Sequence, residues 1–207
     1  MDLTQFNPPL VAILRGLQAR DAEAAGAALF GAGFRLLEVP LNRPGALASI
    51  ALLARMAPAG AIVGGGTMLS VADVDAVHAA GGRMLVAPNC NAAVIARAAA
   101  LGMLCAPGVA TPSEAFDALG AGAHALKIFP AEMVGYAGLK AFKTVLPPGT
   151  PLWPVGGVSP ETMPAWVAAG ATGFGIGGAL YAPGVTPDEL GARAAAFVAA
   201  WQSTQAS

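Results

Sequence analysis

The chain has 207 residues, of which 56% are hydrophobic and 11% charged, a composition that can bury a large core in a single domain over residues 1–207. A net charge of -1 excludes the broad positive surface that binds nucleic acid or an anionic membrane. No apolar run approaches the roughly 20 residues that span a bilayer, and the first residues lack the pattern of a signal peptide. We therefore expect a cytoplasmic protein with no nucleic-acid partner and no membrane partner.

The balance of apolar and charged residues indicates an oligomer. The mean hydropathy is +0.62, and the chain has only 11 basic and 12 acidic residues to cover its surface. Apolar surface is expected to remain on the folded monomer, and a homo-oligomer would bury it. Cys90 and Cys105 lack CxxC spacing and are predicted to be packing residues. His78 and His124 lie in no metal-binding spacing, so no metal site is predicted.

Short apolar runs typical of buried parallel strands alternate with alanine-rich helical segments along the chain. Eight strands are predicted, at Leu10–Leu14, Leu36–Val39, Ala61–Val63, Met84–Val86, Met103–Cys105, Ala125–Ile128, Leu152–Val155 and Phe174–Ile176. Helices are predicted between them, for example at Arg20–Ala32, Val71–Ala80, Ala92–Leu101 and Pro160–Ala169. This alternation predicts an α/β fold, a (β/α)8 barrel.

A doubly wound open sheet is the alternative fold. The phrases GAGFRLLEV, AAGGRMLVA, ALGMLCAPG, GAGAHALKI and AAGATGFGI repeat a helix end, a glycine and a buried strand at a period of roughly 20 to 25 residues, which favours the barrel. Residues 202–207 are expected to form a frayed tail.

Catalytic groups in such barrels project from the carboxyl ends of strands, and few polar residues occur there. Strand one ends in Arg15, strand two in Glu38 and strand three leads to Thr67, while strand six carries Lys127. These four residues are therefore the candidates for the chemistry.

Lys127 is the candidate nucleophile. It lies between apolar neighbours in HALKIFPA, whereas Lys140 and Lys143 are spaced as on one solvated helix face. Burying a lysine is costly unless it is paired or neutral, and desolvation lowers its pKa towards the neutral amine that attacks a ketone. The alternative is a structural ion pair.

Glu38, in LLEVPLN, is the carboxylate that closes an apolar strand. In a cavity shared with Lys127, burial would raise its pKa and the ammonium group would lower it, which leaves a group suited to proton transfer near neutrality. The alternative is a purely stabilising network with Arg15 or Lys127.

Two glycine pairs follow the last two strands, Gly156 with Gly157 and Gly177 with Gly178. Barrels commonly bind phosphate there, through backbone amides and the N-terminus of a short helix. Because glycine also serves tight turns, one pair alone would be weak support. Two pairs at these positions predict a phosphate site.

Taken together, the motifs resemble those of the 2-dehydro-3-deoxy-phosphogluconate and phosphogalactonate aldolases, class I aldolases built on a (β/α)8 barrel. The similarity covers nearly the whole chain, through AILRG, EVPLN, GGGT, APN, LKIFPA, PVGGV and GIGGALY. In that family the lysine of strand six forms the Schiff base and the glutamate of strand two transfers protons. The resemblance implies these roles for Lys127 and Glu38, with no cofactor.

AILRG, EVPLN and LKIFP are similar to the 6-phosphogalactonate branch of the family. The gluconate branch typically has an arginine at the place of Asn42 and a threonine at the place of Val155. The resemblance further implies that Arg15 is the substrate-binding cation, with Thr67 beside it, and that the assembly is a homotrimer.

The resemblance also implies phosphate contacts from Gly156, Gly157, Gly177 and Gly178. The galactonate branch often carries a serine at the place of Gly178, so this chain lacks one hydroxyl contact. The implied reaction cleaves 2-dehydro-3-deoxy-6-phosphogalactonate to pyruvate and glyceraldehyde 3-phosphate.

Three other functions are alternatives to the galactonate aldolase, and each would leave a different feature in the substrate preference or the sequence. A gluconate-specific or dual-specificity aldolase would differ only in the configuration it prefers at C4. A non-catalytic sugar-phosphate-binding barrel would keep the glycine pairs without needing a buried lysine. A phosphate-binding barrel enzyme of tryptophan or thiamine biosynthesis would carry other motif sets.

Overall fold

The computed structural model describes residues 3–205, in which strands and helices alternate. The strands are β1 (Leu10–Ile13), β2 (Leu36–Pro40), β3 (Ile62–Gly66), β4 (Met84–Val86), β5 (Leu104–Ala106), β6 (Gly108–Val109), β7 (Leu126–Ile128), β8 (Leu152–Pro154) and β9 (Phe174–Ile176). The helices are α1 (Ala19–Gly31), α2 (Ala46–Met56), α3 (Val71–Ala79), α4 (Ala92–Ala100), α5 (Pro112–Gly120), α6 (Ala131–Val145), α7 (Met163–Ala169) and α8 (Pro187–Gln205).

All strand pairs are parallel, and they close into a ring. Six strands pair in the order β5-β4-β3-β2-β1-β9, and three in the order β6-β7-β8. A bridge between Val155 and Gly175 joins β8 to β9, and the amides of His124 and Ala125 donate to the Cys105 carbonyl on the other side of the ring. The predicted (β/α)8 barrel is confirmed.

The fifth barrel strand is divided into β5 and β6 at Pro107. A proline has no N–H group, so the hydrogen-bond ladder is interrupted there. The first half pairs with β4 and the second half with β7. The strand that carries Lys127, sixth in the barrel, is therefore β7.

Side chains alternate along the strands between two apolar cores. Leu10 and Ala12 of β1 belong to the large core between barrel and helices, whereas Val11 belongs to a smaller core with Phe6 and Trp153. Because successive side chains of a strand point to opposite faces, the smaller core fills the barrel interior. Every strand is covered on both faces, which explains the unbroken apolar runs of the sequence.

The prediction of a frayed tail from residue 202 is wrong for the residues that the structure describes, because α8 continues to Gln205. Trp201 is buried and its indole N–H donates to Asn7 Oδ1 at 2.9 Å. This contact stabilises the last turns of α8. The residues there are mostly polar, so no apolar pattern in the sequence predicts a helix. Residues 206 and 207 lie outside the described part of the chain. Among the described helices, none has both the length and the apolar character of a membrane span.

Candidate active site

Lys127 and Glu38 point into the barrel from β7 and β2. Leu126 and Ile128, on either side of Lys127, belong to the outer core, as do Leu37 and Val39 on either side of Glu38. The two charged side chains therefore take the inward positions. Only 7% of Lys127 and 2% of Glu38 is exposed.

Lys127 is held at the interrupted strand. Its amide N–H donates to the carbonyl of Pro107 at 2.9 Å, and its Nζ lies 4.7 Å from the centre of the Phe129 ring. Burial lowers the pKa of the Lys127 ammonium group. The Glu38 carboxylate raises this pKa and the Arg15 guanidinium lowers it, with smaller effects than burial. The net result favours the neutral amine.

Glu38 is buried without full compensation. Its Oε2 atom has no hydrogen-bond partner within residues 3–205. Burial raises the pKa of this carboxyl group, against the smaller lowering effects of Lys127 and Arg15. No ion pair joins Glu38 directly to Lys127 or to Arg15 in the described structure, where the observed ion pairs involve other residues. Such an unsatisfied oxygen is suited to take up a proton or a hydrogen bond from a ligand.

Gly66, at the end of β3, makes room for the Glu38 carboxylate. A β-carbon at this position would overlap Glu38 Oε1. The next residue, Thr67, has a φ of 53° and is the only non-glycine residue with positive φ in the described chain. A β-branched residue in this conformation is strained, and such strain is often found at functional sites.

Two adjoining cavities open along the barrel axis. The smaller one, about 10 Å³, is lined by Glu38, Lys127 and apolar side chains. The larger one, about 600 Å³, contains Arg15 and the four glycines named in the sequence, together with other residues. Both are lined by Ile13, Val155 and Gly175, so a molecule bound to Lys127 would extend into the larger cavity. Thr67 lines neither cavity but adjoins the Glu38 pocket through Gly66.

Three residues that line the larger cavity have backbone amides without an acceptor among the described residues. After β9, the amides of Leu180 and Tyr181 both donate to the Gly177 carbonyl, at 2.8 Å and 2.9 Å. The amides of Gly178 and Ala179 in this turn donate to no acceptor in residues 3–205, and neither does the amide of Gly157. Backbone N–H groups without acceptors at a cavity are suited to bind an anion.

Glu132 on α6 packs behind the first glycine pair. A β-carbon on Gly156 would overlap its Oε2, and one on Gly157 would lie 2.9 Å from its Oε1. The φ angles, 115° at Gly156 and 61° at Gly157, also lie in the left-handed region that favours glycine. This loop therefore requires glycine at both positions. By contrast, a β-carbon on Gly177 or on Gly178 would meet no atom within 4 Å.

Sequence comparison assigns the chain to a family. Residues 4–189 match the family model of the KDPG and KHG aldolases. The chain belongs to this family. Among curated members, a probable 2-dehydro-3-deoxy-6-phosphogalactonate aldolase of Rhizobium meliloti (strain 1021) is 44% identical over 97% of this chain and 95% of its own length.

A second curated relative and a solved structure are about as similar to this chain, over nearly their whole length. The 2-dehydro-3-deoxy-6-phosphogalactonate aldolase of Escherichia coli (strain K12) is 43% identical over 96% of this chain and 97% of its own. A solved structure described as native KDPGal has a TM-score of 0.94 at 42% identity, and the match covers 96% of this chain and 97% of that one.

Three residues of this family member were not singled out from its sequence. Glu132 supports the glycine loop, and Phe129 and Tyr181 line the larger cavity. The motif KIFPAE gives a signal only for Phe129 and Glu132, because they lie two and five residues after the buried lysine. Tyr181 has no such signal, since an aromatic residue after a glycine-rich turn usually serves packing.

Proposed function

We propose that the protein is a class I aldolase that cleaves 2-dehydro-3-deoxy-6-phosphogalactonate into pyruvate and D-glyceraldehyde 3-phosphate. The observation that carries the proposal is the buried Lys127, whose pKa is lowered and which shares a cavity with the unpartnered Glu38 carboxylate. Neither the purely stabilising network nor the non-catalytic barrel requires this costly arrangement.

The reaction begins when the neutral Lys127 amine attacks the C2 ketone of the substrate. The carbinolamine loses water and leaves a protonated imine. Glu38, directly or through a water molecule, takes the proton of the C4 hydroxyl as the bond between C3 and C4 breaks. The electron pair of that bond enters the imine and gives an enamine, while the aldehyde departs.

The second half of the reaction returns the enzyme to its starting state. The enamine takes up a proton at C3, with Glu38 as the donor. Water then adds to the resulting imine of pyruvate, and hydrolysis frees pyruvate and the Lys127 amine. The cationic imine is the electron sink throughout, and the cycle balances with no added metal or cofactor.

The larger cavity supports a phosphorylated substrate. A C2 atom at Lys127 leaves the far end of a six-carbon chain in the cavity that contains Arg15 and the amides of Gly157 and Gly178. We assign phosphate binding to this end, with the remaining glycines, Gly156 and Gly177, shaping the loops. Arg15 is the substrate-binding cation and Thr67 supports the pocket of Glu38.

The names of the two curated relatives support the galactonate epimer. Both are described as 2-dehydro-3-deoxy-6-phosphogalactonate aldolases, at 44% and 43% identity. Val155 lines both cavities and so lies where the C4 region of the substrate would pass. Asn42 lies in an exposed loop outside both cavities, and we give it no part in the choice of epimer.

We further propose a cytoplasmic homotrimer. Large apolar side chains are exposed on the monomer, for instance Met133 at 78%, Leu69 at 51% and Phe116 at 48%. Burial in an oligomer would remove this surface from water. Light scattering is expected to give about three times the chain mass of 20.4 kDa, and a monomeric mass would exclude the trimer.

The test of the proposed function is borohydride reduction in the presence of pyruvate and excess EDTA. Reduction converts the imine to a stable amine, so the enzyme should lose activity and carry one pyruvate adduct on Lys127. Lys140 and Lys143, which are exposed, serve as internal controls in the peptide map. An adduct on either of them, or dependence on a divalent metal, would contradict the proposed mechanism.

A further inference from the structure

The side chain of Phe129 stands beside that of Lys127 on the inner face of the barrel. Both amides donate to the neighbouring segment, Lys127 to the Pro107 carbonyl at 2.9 Å and Phe129 to the Val109 carbonyl at 3.1 Å. Phe129 thus continues the hydrogen-bond ladder of β7 beyond its last residue. Because side chains two positions apart on an extended strand share a face, the ring points inward with the lysine.

The nitrogen of Lys127 lies over the aromatic ring of Phe129. The distance from Lys127 Nζ to the ring centroid is 4.7 Å, and this is the one cation–ring contact among residues 3–205. A cation within about 6 Å of a ring centroid is attracted by the negative charge of the ring face, most strongly where water is excluded. Only 7% of Lys127 is exposed. The contact is therefore of the strong, desolvated kind.

The backbone on both sides of Phe129 is anchored. Its own amide pairs with β6, and the amide of Ala131, the first residue of α6, donates to the Val155 carbonyl at 3.0 Å. Phe129 also lines the larger cavity, next to which a molecule bound to Lys127 would lie. The ring is thus in place before substrate binds, and a preorganised group needs no rearrangement when charge develops beside it.

The other groups that face Lys127 do not simply balance a positive charge on it. Glu38 on β2 raises the pKa of Lys127 and Arg15 after β1 lowers it, and burial, which lowers it, has the largest effect. The resting nitrogen is therefore driven towards the neutral amine, whereas imine formation gives it a positive charge. Unlike the Glu38 carboxylate, an aromatic ring stabilises this charge without taking up a proton.

We propose that the Phe129 ring stabilises the positive charge of the protonated imine on Lys127 and is therefore a catalytic residue. This inference rests on the proposed function, because it assumes that a keto acid forms an imine with Lys127. The neutral amine, the ketone and one proton give the protonated imine and water, so this step creates a cation over the ring. The ammonium form and the ketone give the same products without a change in charge.

Fluorination of Phe129 tests this role, because fluorine atoms withdraw electrons from the ring face and change its shape little. The full-length protein is prepared with mono-, di- or trifluorinated phenylalanine at position 129, and borohydride traps pyruvate on Lys127. The pyruvate concentration that gives half-maximal trapping should rise with each fluorine, reaching about 2- to 30-fold above wild type, the range of a cation–π contact. A series without a progressive rise overturns the proposal.

The pH dependence of trapping separates this electrostatic role from packing. Above the pKa of Lys127, imine formation adds a charge over the ring, whereas below it the nitrogen is a cation both before and after the step. The rise caused by fluorination should therefore be largest above that pKa, which wild-type trapping locates, and should disappear below it. Glu38 and Arg15 face the lysine in all of these proteins. A rise of equal size at every pH would indicate altered packing and overturn the proposal.

Phe142 on α6 provides the matched control. Its ring is buried in the large core, and no cation lies over it among the described residues. The same fluorinated residues at position 142 should leave the trapping curve unchanged, and a rise equal to that at position 129 would overturn the proposal. Thermal melts confirm that each protein is folded. Failure of wild type to trap pyruvate on Lys127 would refute the proposed function, whereas trapping that is insensitive to fluorination refutes only the role of Phe129.

Discussion

Glu38 Oε1 occupies the place that a β-carbon on Gly66 would take, so that the last residue of β3 has no room for any side chain. Gly66→Ala is therefore expected to push the carboxylate from its place opposite Lys127. A displacement of about 1 Å in a reacting group costs on the order of 100-fold in rate, and we expect such a fall in kcat. Gly31→Ala, at an open position on α1, should retain wild-type kcat. Wild-type turnover by the Gly66 variant would mean that Glu38 tolerates displacement.

Glu38→Gln keeps the size of the side chain and removes its ability to exchange a proton. Steady-state kcat should fall by on the order of 100- to 10,000-fold, the usual contribution of general acid-base catalysis. Pyruvate should still be trapped on Lys127, at a reduced rate. Glu23→Gln, an exposed change on α1, is the control. Near wild-type kcat for the Glu38 variant would assign the residue to a structural role.

Lys127→Met should increase thermal stability while abolishing turnover. The folded protein lowers the pKa of Lys127, so the unfolded chain binds more protons than the native state at pH values between the two pKa values. The stability of wild type therefore rises with pH in this interval, and the advantage of the variant should shrink as the pH rises towards the ordinary lysine pKa of about 10.4.

Melting curves at several pH values measure this effect. The exposed Lys140→Met variant should show no such pH-dependent gain. A gain for Lys127→Met that is constant with pH would show that packing, and not the cost of neutralising the lysine, is responsible.

Gly178→Ser should strengthen phosphate binding. A β-carbon fits at this position without contact, and φ is not in the left-handed region, so the new hydroxyl is tolerated. One added hydrogen bond is expected to lower KM for the phosphorylated substrate by roughly two- to tenfold. Gly178→Ala adds the carbon without the hydroxyl, and it should leave KM unchanged. A similar KM for Ser and Ala variants would place the hydroxyl out of reach of the phosphate.

The two C4 epimers should differ in kcat/KM. We expect the galactonate substrate to be preferred by about tenfold to a hundredfold, because a C4 hydroxyl without a partner costs about 1 to 3 kcal/mol. Val155→Thr should narrow the gap, since Val155 lines both cavities. Parallel assays of pyruvate release from both epimers measure this preference. A higher kcat/KM for the gluconate epimer would reverse the assigned substrate without affecting the aldolase mechanism.

The barrel could be predicted because buried parallel strands and their helices leave a strong periodic pattern in the sequence. Lys127 and Glu38 could be predicted because each interrupts an apolar strand. Burying a charged side chain is costly, so its presence there indicates a function. The division of the fifth strand was not predicted, although Pro107 causes it. The apolar run before this proline already has the length of a complete strand. The length of α8 was missed because the anchoring contact of Trp201 is to Asn7, at the far end of the chain.

Other features of the site have no local signal in the sequence. The packing of Glu132 against Gly156 joins residues from different βα units. The positive φ of Thr67 is a property of the backbone, and the presence of a threonine does not predict it. Such features arise from tertiary packing, which a residue pattern does not contain.

The hydrogen bond between Trp201 and Asn7 has a practical consequence for handling the enzyme. Asn7 precedes β1, so this bond fastens α8 to the amino-terminal rim of the barrel, whereas the larger cavity opens among the loops at the carboxyl rim. Attachment to a support or a fusion partner after α8 would thus leave the mouth of the cavity facing solution. A linker joined there need not cross the path of substrate or product.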